Sequence, residues 1–120
     1  MTNKELKFNT QICTTIEQSK RLLELGLNPE TADMHHFKQS GEFSAHLGFF
    51  IDNYKNISNW YQPAWSLHRL MEIAMKGDKL GCITHNIHLN NVSSYYELVI
   101  ASIEHLIKID EFNKDYLEEK

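Results

Sequence analysis

The sequence has no apolar run that approaches the roughly 18 consecutive residues of a membrane span. Its first twenty residues hold no apolar stretch of signal-peptide length either, so no export signal is expected. Cysteine is scarce: only Cys13 and Cys82 are present. That excludes a disulfide scaffold. In a chain without an export signal, two well-separated cysteines read as reduced thiols in the cytoplasm, acting as small buried hydrophobes. Positive charge is short as well, with 12 Lys and Arg against 16 Asp and Glu, a net charge of −4. A general nucleic-acid binder needs a basic surplus to neutralise phosphates, so this balance argues against nucleic acid. There is no Gly-x-Ser-x-Gly elbow, no Gly-x-Gly-x-x-Gly and no Walker-type loop. Internal repeats and low-complexity tracts are also missing.

What is present is ordinary for a globular domain: 120 residues, 42% hydrophobic and 23% charged. That length can bury a real core. A single domain over 1–120 is expected, with 1–11 and 118–120 loose. Acidic residues gather from Asp110 to Glu119, which reads as a solvated end.

Capping and periodicity place the elements. Thr14 with Glu17, or Thr15 with Gln18, has capping-box spacing, and Ile16, Leu22, Leu23 and Leu25 supply an apolar face. Gly26 suits the stop, so a helix over 15–25 is expected. Asn28-Pro29-Glu30-Thr31-Ala32-Asp33 reads as a tight turn or a single helical turn, in which Asp33 bonds nearby backbone. Ser40-Gly41 marks a turn, and His46–Tyr54 reads as a strand. Ser66 is a candidate N-cap for a second helix that stops before Gly77, with Leu67, Leu70, Met71 and Ala74 on one face. The alternation in Cys82–Leu89 predicts a strand with one buried side. Ser94 and Glu97 open a last helix through residue 107, and Asn113 caps a final short turn. Together these predict an α+β fold: about three helices packed on a small antiparallel sheet of two or three strands.

Seven histidines are the first place to look for chemistry: His35, His36, His46, His68, His85, His88 and His105. Cys82, His85 and His88 have the right types for zinc, but on a strand Cys82 and His88 stand roughly 20 Å apart and His85 faces away. His35 and His36 diverge as neighbours and need a third ligand such as His46 or Asp33. No catalytic residue, metal site or cofactor is therefore assigned. Tyr54, Trp60, Tyr61 and Trp65 are four large rings close to Pro63. They either close the core between strand and second helix, anchor a protein partner or a second copy, or line a small pocket.

Three segments carry a resemblance: Thr14 to Met34 (TTIEQSKRLLELGLNPETADM), Pro63 to Leu67 (PAWSL), and Phe112 to Leu117 (FNKDYL). In these the chain resembles a widespread group of small uncharacterised proteins from gut bacteria and their phages or mobile elements. Residues 35–62 and 76–93 fall outside the likeness. The resemblance implies a mobile-element accessory role and supplies no catalytic residue. The leading expectation is a small cytoplasmic, non-enzymatic interaction protein that uses Tyr54, Trp60, Tyr61 and Trp65, with no membrane association. The alternative is a small-molecule or metal-binding enzyme using histidines. A DNA-binding regulator would need a basic stripe containing Lys20, Arg21 and Lys38.

Overall fold

The computed structural model describes residues 11–49, 59–79 and 94–118. Helix α1 runs Ile16–Glu24 and starts as a full capping box: the Thr15 side chain accepts from Gln18 N–H, and the Gln18 side chain accepts from Thr15 N–H. Of the two candidate boxes, the second forms. Thr14 cannot serve, because its hydroxyl is buried against Ser19 Oγ at 2.7 Å. The helix ends in a Schellman motif. Leu27 N–H reaches Leu22 O at 3.1 Å and Gly26 N–H reaches Leu23 O at 3.0 Å, with Gly26 at φ +99°. A 3-10 turn over Pro29–Thr31 follows, capped by the Asn28 side chain.

Three strands form an antiparallel sheet: β1 (Met34–Gln39), β2 (Glu42–Leu47) and β3 (Tyr61–Ala64), in the order β2-β1-β3. The Ser40-Gly41 turn joins β1 to β2, with φ of 54° and 86°, the positive pair that a two-residue type I′ hairpin requires. The strand expected over 46–54 is corrected: β2 begins at Glu42 and ends at Leu47, and residues 50–54 lie outside the described residues. Neither β1 nor β3 was anticipated. β1 mixes His, Lys and Gln with its apolar positions, which blurs the alternation. β3 contains Pro63, tolerated because β3 lies at the edge of the sheet formed by the described strands. The strand expected over Cys82–Leu89 also lies outside the described residues.

Helix α2 spans Leu67–Gly77 with Ser66 as N-cap. Its buried stripe is Leu70, Ile73, Ala74 and Gly77, while Met71 is exposed, so the expected face is rotated toward Ile73. Gly77 was expected to lie beyond the helix; it is the last helical residue. Helix α3 spans Tyr95–Lys108, and its buried side includes the expected Tyr96, Val99, Ile100, Ile103 and Leu106. Ser94 caps it, but Glu97 does not complete a capping box. Its carboxylate instead accepts from Gln18 Nε2 at 2.6 Å and pairs with Arg21 Nη1 at 3.2 Å. Arg21 also pairs with Glu104, tying α1 to α3. These pairs are part-exposed, so each contributes about 0–1 kcal/mol.

The three described helices share one apolar cluster with Leu27, Trp65 and Phe112. The sheet has its own small cluster of Cys13, Met34 and Ala64, with Ala45 beside it, and α1 lies against β3. Asn113 caps a second 3-10 turn, Lys114–Tyr116, as expected. The segment around it is stitched to both helix ends: Asn113 N–H bonds Gly77 O, and Asn28 N–H bonds Tyr116 O. Glu118, placed with the loose end by the sequence, donates its N–H to Gly26 O at 2.7 Å.

Gly77 is needed for close approach. A Cβ there would stand 2.3 Å from Phe112 Cε1 and 2.5 Å from Cζ, and the ring is almost wholly buried. Gly→Ala ordinarily stabilises a helix by up to about 1 kcal/mol. Here overpacking outweighs it, so Gly77→Ala should lower stability by about 1–3 kcal/mol, read from urea denaturation.

Candidate interaction site

Strand alternation divides the sheet into two faces. Register pairs Met34 with Leu47 and Ala64, and His36 with Ala45 and Gln62, on one face. That face turns toward residues 13–14. His36 Nε2 donates to Thr14 O at 2.6 Å, and Cys13 Sγ lies 3.7 Å from the same nitrogen. The other face carries His35, Phe37, His46 and Tyr61.

On that second face the rings stack in a row across the strands. His46 lies 5.3 Å from His35, and His35 lies 4.7 Å from Tyr61, each pair 21° from parallel. Phe49 follows Tyr61 at 5.5 Å. Beside the row, Phe37 holds Trp60 edge-on at 5.4 Å and meets His46 at 6.5 Å. Aromatic pairs of this kind contribute about 0.5–1.5 kcal/mol beyond the area they bury. His35 is further held by Nδ1–H donation to Gly48 O at 2.7 Å.

The four rings singled out in the sequence therefore separate. Trp65 is completely buried, in the helical core; its N–H bonds Thr14 Oγ1 at 3.1 Å and its Nε1–H bonds Thr31 Oγ1 at 2.9 Å. Tyr61 is 4% exposed, in the ring row between His35 and Phe49. Trp60 is 41% exposed and presents its indole at the surface. Tyr54 lies outside the described residues. Core packing and surface presentation thus both occur, within five residues of one another. Sequence reading missed the companions His35, Phe37 and His46. The signal was there in the i, i+2 spacing of His35 and Phe37, once 34–39 is taken as a strand.

Asp33 is a second correction. It does not bond nearby turn backbone. Its carboxylate accepts from Ser66 N–H at 2.8 Å and Ser66 Oγ–H at 2.6 Å, fixing the start of α2.

The Cys13–His36 pair has the types of a nucleophile and base but not the arrangement. A backbone carbonyl can only accept, so His36 Nε2 carries the hydrogen that bonds Thr14 O and cannot take a proton from Cys13. Burial, and secondarily the negative charge of Asp33, push the thiol up to about 11. Cys13 is thus a protonated, packed thiol, as the sequence suggested. Among the described residues no three His, Cys, Asp or Glu side chains are grouped to hold a metal ion. Cys82, His85 and His88 lie outside them. Lys20, Arg21 and Lys38 make no basic stripe of the kind a DNA reader would need. Arg21 is engaged by two carboxylates, and Lys38 lies over the Phe43 ring at 5.7 Å. No described helix is long and apolar enough to cross a membrane.

Compared with protein-family models, curated proteins and solved structures, the chain matches none.

The Cys13 environment sets a pH dependence. Below the ordinary thiol value of 9.0, the thiol is protonated whether the chain is folded or not. Above it the unfolded chain ionises first, which favours unfolding until the folded thiol also ionises near 11. The stability of the wild type relative to Cys13→Ala should therefore be constant below pH 9 and fall between pH 9 and about 11. Denaturant titrations of both proteins across that range check it.

Proposed function

We propose that the protein is a small non-enzymatic accessory factor that binds another protein through the ring-lined face of its sheet. One observation carries the reading: Trp60 is presented at the surface with its ring packed edge-on against Phe37. A large ring fixed before binding loses little freedom on docking, which is the property of an interface anchor. His46, exposed beside Phe37, extends the surface. In this reading Trp60 makes the contact, Tyr61 belongs to the buried part of the ring row with His35 and Phe49, and Trp65 holds the core. The cytoplasm is the proposed location, supported by the two well-separated cysteines. Service to a mobile element is proposed on the resemblance of the Thr14–Met34, Pro63–Leu67 and Phe112–Leu117 segments. No observation among the described residues favours the histidine-based enzyme.

A tagged pull-down from the native host, with and without mobile-element induction, tests the reading. A protein recovered in stoichiometric amount with the wild type should be lost with Trp60→Ala, while the variant keeps its circular dichroism spectrum. Recovery of the bait alone, or a partner retained by the variant, would overturn it.

A further inference from the structure

We propose that strand β2 is a self-pairing edge, through which two copies of this chain join their sheets into one. The argument starts from which backbone groups point outward. Lys38 N–H bonds Trp60 O, so the even-numbered residues of β1 turn their backbone groups toward β3. The odd-numbered residues of β1 then face β2, and register pairs them with Glu42, Ser44 and His46. The two-residue hairpin turn requires the same pattern, since Gln39 and Glu42 flank it. The backbone groups of Phe43, Ala45 and Leu47 are therefore directed away from the sheet. Among the described residues no strand pairs with that edge.

The two edges of the sheet differ in protection. β3 carries Pro63 and is buried along its length. β2 is exposed at five of its six residues, with an unbroken register. It has no Pro, Lys or Arg, and its one carboxylate, Glu42, sits at its start. An edge without such blocks is a template for another strand. Leu47 is 82% exposed and Phe43 is 36% exposed, both on the same face as Ala45.

A second copy fits this edge because the strand is complementary to itself. A two-fold axis through Ala45 sets Ala45 opposite the partner's Ala45, and Phe43 opposite the partner's Leu47. All of these are residues whose backbone groups point outward, so each pair exchanges two N–H···O bonds. The two apolar Phe43–Leu47 pairs cover the side chains left most exposed on this face of the strand. Ser44 meets the partner's His46, and Glu42 falls beyond the last pair, so no like charges oppose. Centring instead on Ser44 would leave Leu47 opposite the partner's hairpin turn. The proposal deepens the interaction reading but uses the strand edge rather than the Trp60 face, so each can fail without the other.

Sedimentation velocity on the full chain, across a concentration series, is the test. The wild type should show a monomer–dimer equilibrium. Leu47→Lys alters a side chain that the fold leaves exposed, and should weaken association at least about tenfold. Ala45→Pro deletes an outward N–H while leaving the hairpin bonds to β1 in place, and should do the same. Both variants should keep the wild-type circular dichroism spectrum; if the proline variant does not fold, Leu47→Lys alone decides. A wild type that stays monomeric up to about 1 mM, or a dimer indifferent to Leu47→Lys, would overturn the proposal. A β2-dependent complex with a different protein, formed by a chain that is monomeric alone, would also overturn it and leave the interaction reading standing.

Discussion

Trp65 is the residue on which the described parts of the structure converge. Its ring is buried in the apolar cluster to which the three described helices contribute, and its backbone exchanges bonds with Thr14 through Trp65 N–H to Thr14 Oγ1 and Thr14 N–H to Trp65 O. Its indole N–H reaches Thr31 in the turn after α1. One residue later, Ser66 begins α2 and is held by Asp33, which directly precedes β1. The entry to α1, the turn that follows it, the end of β3 and the start of α2 are thereby fixed to one another. Among the described residues each buried polar side-chain atom has a partner, which makes burial of Thr14 and Ser19 tolerable.

That junction explains why the sheet has two unlike faces. The segment leading into α1 is tied down at Thr14, so Cys13 covers the Met34 and Ala64 side of the sheet. His36 belongs to that side and its imidazole serves as a structural donor. The opposite side is left to rings, with Tyr61 and His35 stacked and Phe37 supporting Trp60. Chemistry follows position here: neighbouring histidines in the chain have different roles because strand side chains alternate.

Local signals were legible wherever a cap or a stop is encoded in a few adjacent residues. Thr15 with Gln18, Asn28 before Pro29, Ser66, Ser94 and Asn113 all cap as their types predict. The positive φ at Gly26 was readable for the same reason. The α+β class followed from these helices plus short alternating runs. Strand limits were not legible, because β1 and β2 draw their stability from pairing with one another and their sequences do not alternate cleanly. Glu97 shows the limit of local reading: its spacing suits a capping box, yet Gln18 and Arg21, distant in sequence, take its carboxylate.

The sequence by itself determined where the described helices start, that Gly26 ends the first of them, that Cys13 is a packed thiol, and that aromatic residues cluster around Pro63. Those properties depend on residue type and on neighbours within one helical turn. Only the tertiary structure decided that Trp65 is core while Trp60 is surface, that Asp33 serves α2, and that His35, Phe37 and His46 join the ring face. The physical reason is pairing and packing: a shift of one residue in a strand exchanges its faces, and which face is buried is settled by β3 and the segment before α1, which are remote in sequence from β1.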